Sequence, residues 1–201
     1  MVERAAGAAD VMTLKIYLAG PEVFLPDAVA VGAAKIALCR AHGFTGLYAL
    51  EPADPPPADA PPLARATAIF RNCLAQMTDA DCAIANLTPF RGLGADPGTA
   101  FEVGYMVAAG KPVWGYTNDG GALEARVRAA AGGRLDRTAD GELRDPEGLA
   151  VEAFGLAENL MLACATAIPI VTHAAAPAER YRDLTAFTIC LERLAATTRV
   201  R

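Results

Sequence analysis

Apolar positions along the chain switch repeatedly between a period of two and a period near 3.6. Leu14-Lys15-Ile16-Tyr17-Leu18-Ala19-Gly20 is a short β-type run, and Gly20-Pro21 forces a loop after it. From Ala28 to His42 the spacing turns helical, with Gly43 as the C-terminal stop. Thr45 to Leu50 reads as a second strand. Pro52 to Pro62 is dense in proline, which lacks an N–H donor and so excludes regular structure. Leu63 to Thr78 follows as a helix. Asp81 to Leu87 is almost continuously apolar, as suits the middle of a parallel sheet covered on both faces. A loop over Thr88–Asp96, a helix over Gly98–Ala109, a strand over Lys111–Thr117 and a helix over 120–131 come next. Gly132 to Gly148 is polar, charged and glycine-bearing, and predicts a mobile excursion. Leu156–Ala165 reads as a short helix, Ile168–Val171 as an edge strand that tolerates Pro169, and Glu179–Ala196 as a closing helix.

Strands alternating with helices predict an α/β fold: a doubly wound, flavodoxin-like parallel sheet of about five strands with helices on both faces. At 201 residues the expectation is a flexible tail over residues 1–13 and one domain over 14–201. In such sheets ligands bind beyond the carboxyl ends of the strands. The loops after Leu18, Leu50, Leu87 and Thr117 are therefore expected to line the site.

Composition narrows the partners. A net charge of -5 and the lack of any basic run argue against a nucleic-acid partner. No stretch reaches the roughly 20 apolar residues a membrane span needs. The first 13 residues carry Glu3 and Asp10 and make no convincing signal peptide. Five cysteines without a C-x-x-C pair, and only His42 and His173, point to a reducing cytoplasm, no metal and no cofactor.

The densest chemical cluster is Asp96-Pro97-Gly98-Thr99-Ala100-Phe101-Glu102. A helix starting near Pro97 puts Glu102 within its first two turns, where unpaired N–H groups and the helix dipole favour a carboxylate. An oriented, ionised carboxylate is what attack on a sugar carbon requires. Asp96 alone reads more simply as an N-cap. Glu102, flanked by Phe101 and Val103, is an even choice between nucleophile and solvated acid. Tyr17 reads equally as a phenol in the crevice or as a core side chain, and Gly20 as a close approach for ligand or as turn chemistry. Neither G-x-G-x-x-G nor G-x-x-x-x-G-K-[ST] is present, which removes the usual support for dinucleotide or P-loop binding.

Four segments in order carry a resemblance. Ile16 to Pro21, Asp81 to Gly92, Asp96 to Tyr105, and Phe154 to Leu162 together resemble the nucleoside 2-deoxyribosyltransferase family, spanning about Lys15 to Leu162. The resemblance implies Glu102 as nucleophile, Tyr17 orienting it, and Asp96 holding sugar hydroxyls. Gly20, Phe24, Arg91 and Gly98 are expected to contact substrate. Asn159, with Met161 beside it, would reach the site of a neighbouring subunit in a homo-oligomer, a dimer or larger, with shared active sites. The family's base-contacting Asp or Asn falls on Cys73 here, next to Asn72, so either residue or a different contact serves. Glu51 is a further candidate. Implied substrates are deoxyribonucleosides and free nucleobases.

Two rival readings stand beside transfer. One is an N-glycoside hydrolase of nucleosides or their 5'-phosphates, weakened because the chain contains no serine and only Arg91 lies near the site loops. The other is a nucleoside-binding module without catalysis, opposed by the intact Tyr17, Asp96, Glu102 and Asn159 set.

Overall fold

Residues 13–50 and 59–198 are described by a computed structural model. Glu51, most of the proline-dense loop and nearly all of the expected tail lie outside the described residues. The elements are β1 (Lys15–Ala19), a 3-10 turn (Pro21–Phe24), α1 (Ala28–Ala41), β2 (Thr45–Tyr48), α2 (Pro62–Asp79), β3 (Cys82–Asn86), α3 (Pro97–Ala108) and β4 (Val113–Thr117). They continue with α4 (Leu123–Ala130), β5 (Asp136–Arg137), β6 (Leu143–Arg144), β7 (Ala150–Val151), α5 (Leu160–Ala163), β8 (Val171–Thr172) and α6 (Thr185–Thr198).

The main sheet is parallel in the order β2-β1-β3-β4-β8. This is the doubly wound, five-stranded arrangement that the alternation predicts. The chain leaves β1 to one side for β2 and returns to the other side for β3, so the switch point lies between β1 and β3.

Side-chain alternation splits the core into two layers. Ile16, Leu18, Ile84, Trp114 and Tyr116 face α1 and α6, meeting Cys39, Phe187, Leu191 and Leu194. Tyr17, Ala19, Ala83, Ala85 and Val113 face the other way, meeting Met77 of α2 and Val103 and Met106 of α3. Apolar burial on both faces explains the continuous apolar run of β3. It also turns Tyr17 towards the helix that carries Glu102. Burying one Phe187- or Leu191-sized side chain contributes roughly 1.5–3 kcal/mol.

Four expectations need correcting. The 132–148 excursion is not structureless, because β5, β6 and β7 form an antiparallel sheet of their own. Gly141 and Gly148, both at positive φ, close its turns, and the Asp145 carboxylate accepts from the Glu147 and Leu149 amides. Two-residue strands are too short for a period of two to show. The helix expected over 156–165 shrinks to α5, since Asn159 caps it by accepting from Met161 N at 3.0 Å. The last strand moves to Val171–Thr172, beyond Pro169, and keeps its edge position.

The closing helix starts at Thr185 rather than Glu179. Asn118 Nδ2 donates to the carbonyls of Arg180 and Asp183, both at 2.8 Å, diverting acceptors that a helix would use internally. Asp183 then accepts from the Thr185 amide at 2.8 Å.

Candidate active site

The carboxyl end of β1, the Pro21–Phe24 turn, the residues after β2, the inner face of α2 and the first turns of α3 enclose a cleft of about 260 Å³. Glu102, Asp96, Gly98 and Thr99 form one wall, and Gly20, Val23 and Phe24 another. Leu50, Ile69 and Cys73 are among its apolar lining, with Tyr17 on the floor.

The Tyr17 phenol donates to Glu102 Oε1 at 2.5 Å. Both groups are largely buried, and burial pushes the Glu102 carboxyl up to about 7, against the lowering effect of the Tyr17 hydrogen bond. The negative charge of Asp96 raises it further, while the Lys35 cation lowers it. Tyr17 itself is driven far above the usual phenol range by burial and by the adjacent Glu102 charge, so it stays a donor. Glu102 lines the cleft, and among the described residues Oε2 has no hydrogen bond while Oε1 is held by Tyr17. Full ionisation at neutral pH, as the helix dipole suggests, is therefore opposed by desolvation.

Asp96 is the N-cap of α3 and accepts from Thr99 N at 2.9 Å and Thr99 Oγ1 at 3.2 Å. Both bonds land on Oδ2, so the cap and a wall residue are one side chain with a second oxygen to spare. Gly98 allows this: a Cβ there would sit 2.9 Å from Asp96 Oδ2.

Of the two neighbours on α2, Cys73 lines the cleft and Asn72 lines a separate groove with Gly46, Leu47 and Tyr48. The Cys73 thiol lies beside the Tyr17 phenol, and burial raises its pKa. Arg91 holds a left-handed φ of 54° and lays its guanidinium over the rings of Phe24 and Phe90, which stack 5.2 Å apart. It thus touches the rim of the cleft through Phe24.

Asn159 and Met161 are not brought to the cleft of their own chain. Asn159 Nδ2 donates to Glu152 Oε1 at 2.7 Å, and Met161 is 73% exposed. Their segment is nevertheless anchored next to Asp96. Glu158, buried, accepts from Ala95 N at 3.1 Å and from Asn159 N at 2.9 Å, with Arg126 at 3.4 Å.

Several residues of the site escape sequence reasoning: Val23, Ala49, Leu50, Ile69, Thr99, and above all Glu22 with Lys35. Val31, Lys35 and Cys39 recur every four residues on α1 and are all buried, so the spacing alone marks Lys35 as core-facing. Nothing in the sequence marks Glu22. No group of three or more His, Cys, Asp or Glu suited to a metal, and no helix long and apolar enough to cross a membrane, occurs among the described residues.

Residues 16–161 match the family model for nucleoside 2-deoxyribosyltransferases. The fold is similar to that of a 2-desoxiribosyltransferase from Leishmania mexicana, with a TM-score of 0.59 and 30% identity over 89% of this chain and 97% of that one. An uncharacterized protein of Schizosaccharomyces pombe is 32% identical over 155 residues, 73% of this chain and 74% of its own length.

Proposed function

The chain belongs to the nucleoside 2-deoxyribosyltransferase family, and on that premise we propose that it moves 2-deoxyribose between nucleobases through a covalent deoxyribosyl–Glu102 ester. The observation that carries this is the Tyr17–Glu102 hydrogen bond at the floor of the cleft. It fixes Oε1 and leaves Oε2 to attack the anomeric carbon from the face opposite the base. The bond from C1' to the base breaks and its electron pair leaves with the base, which takes up a proton. A second base then attacks C1' of that ester from the vacated face, and the C1'–Oε2 bond breaks to return Glu102 as carboxylate. The incoming base gives up a proton that balances the one the first base took. Two inversions give net retention, as in retaining glycosidases. Raised basicity makes Glu102 a better nucleophile once ionised, and the apolar lining limits water as a competing acceptor.

In this reading Asp96 Oδ1 accepts from a sugar hydroxyl, and Cys73 with Ile69 and Leu50 contacts the base, supported by all four residues lining the cleft. Asn159 of a second copy completes the sugar site in the proposed oligomer, its segment held by Glu158 and Glu152. The test is incubation with deoxyinosine plus adenine, beside deoxyinosine alone. Formation of deoxyadenosine supports the reading. Release of hypoxanthine and free deoxyribose without exchange makes the protein a hydrolase, and binding with neither product makes it a binding module.

A further inference from the structure

Beneath the cleft lies a charged cluster that the proposed reaction does not consume. Glu22 and Lys35 are both fully buried and pair at 2.9 Å. Asn86 Nδ2 and the Tyr116 phenol also donate to the same oxygen, Glu22 Oε1, at 3.0 and 2.8 Å. The Lys35 ammonium further sits 5.0 Å from the Phe187 ring centre and 5.7 Å from that of Tyr116. The network continues sideways. Asn86 Oδ1 accepts from Thr88 N and Thr88 Oγ1 at 3.0 and 2.5 Å, and Thr88 Oγ1 accepts from Asn118 N at 2.9 Å. One unbroken chain of buried polar contacts thus joins α1, the turn after β1, the end of β3, the loop towards Asp96, and the end of β4.

We infer that Glu22 is a positioning residue for the sugar-transfer reaction, setting the gap between the Gly20–Phe24 wall and the Asp96–Glu102 wall. The inference rests on the reading of the cleft given above. Its geometric basis is the fold-back at Gly20. Glu22 Oε2 lies 1.9 Å from where a Gly20 Cβ would stand, so the carboxylate is tucked directly under a wall residue. Glu22 also lies within the Pro21–Phe24 turn, and Phe24, which lines the cleft, stacks on Phe90. Moving Glu22 moves both. Burying an ion pair is seldom the cheapest way to stabilise a fold, since apolar residues of similar volume do as well or better. The arrangement is accounted for by geometry: one carboxylate oxygen collects donors from three separate elements at the carboxyl edge of the sheet.

The test separates geometry from stability. A Glu22→Leu/Lys35→Met double variant removes both charges together, so no buried ion is left unpaired. It is expected to keep the circular dichroism of the wild type while its exchange kcat, counted per folded site, falls about 100-fold, the scale of an ångström-sized misplacement. The nucleoside KM should change far less. A folded double variant with wild-type kcat, or a loss carried wholly by KM, overturns the inference. If the double variant does not fold, Tyr116→Phe takes its place, removing one donor to Glu22 Oε1 and keeping the ring. A fall in kcat per folded site on the order of 10-fold supports the inference, and wild-type kcat overturns it. Should the wild type prove a hydrolase or a binder, transfer fails as its function, and the same variants are compared by hydrolysis rate or nucleoside Kd. The two ideas then fall or stand separately.

Discussion

Tyr17 and Glu102 lie 85 residues apart in the chain and meet at 2.5 Å, with the phenol donating to the carboxylate that burial pushes up to about 7. The hydrogen bond favours the ionised form, which is the attacking one. Activity should therefore rise with pH through a limb near 7. Tyr17→Phe should move that limb to higher pH, because removing a stabilising donor raises the Glu102 pKa. The deficit would be large at pH 6 and smaller at pH 9. A kcat profile that superimposes on the wild type would return Tyr17 to a packing role.

Glu102→Ala should abolish exchange while leaving the fold intact, since alanine favours the helix it enters. Measurable deoxyadenosine formation by that variant would dismiss Glu102 as the nucleophile.

Stability gives an independent view of the same carboxyl. Its folded pKa lies above the ordinary value of 4.5, so the native state binds this proton more tightly than the unfolded chain. The associated stability is complete below pH 4.5 and is lost as pH rises through about 7. Glu102→Gln keeps the shape and lacks the titration. Relative to wild type it should gain stability between pH 4.5 and pH 8, by up to about 3 kcal/mol. Urea denaturation of both proteins at the two pH values reads this directly, and an equal difference at both rules it out.

Much of this site is legible in the sequence, for identifiable reasons. The period of two along β1 decides that Tyr17 shares a face with Ala19, and the small Ala83 and Ala85 beside it let α3 come close. The neighbours on α2 are not separable by sequence alone; the structure shows that Cys73 lines the cleft with Ile69, four residues earlier, whereas Asn72 turns towards β2. Glu22 is illegible because its burial depends on Asn86, Tyr116 and Lys35, brought in from three other elements. The β5–β7 sheet is illegible because two-residue strands carry no period.

Gly20→Ala should be destabilising by about 1–3 kcal/mol, the usual cost of overpacking. A methyl there would meet Glu22 Oε2 at 1.9 Å and Asn86 Cβ at 2.9 Å, two atoms held by the buried network. Gly104→Ala has nothing within 4 Å of its new carbon and serves as the control. Equal midpoints in chemical denaturation for the two variants would show that the wall yields.

Asn159 does not line the cleft of its own chain, so the proposed shared site makes a sharp prediction. Glu102→Ala and Asn159→Ala proteins, each inactive alone, are dissociated, mixed and reassociated. In a symmetric pair one site collects both lesions and the other neither, so heterodimers should regain about half the wild-type activity. Verified heterodimers that stay inactive would confine Asn159 to its capping role.

The two borders of the parallel sheet are unequal but both brief: β2 spans four residues and β8 only two. A foreign strand arriving at either border finds few unpaired N–H and C=O groups on which to register. Long, flat borders are the usual template for strand-by-strand association between molecules. A sheet bounded this way is guarded against fibrillar self-assembly by the shortness of its outer strands.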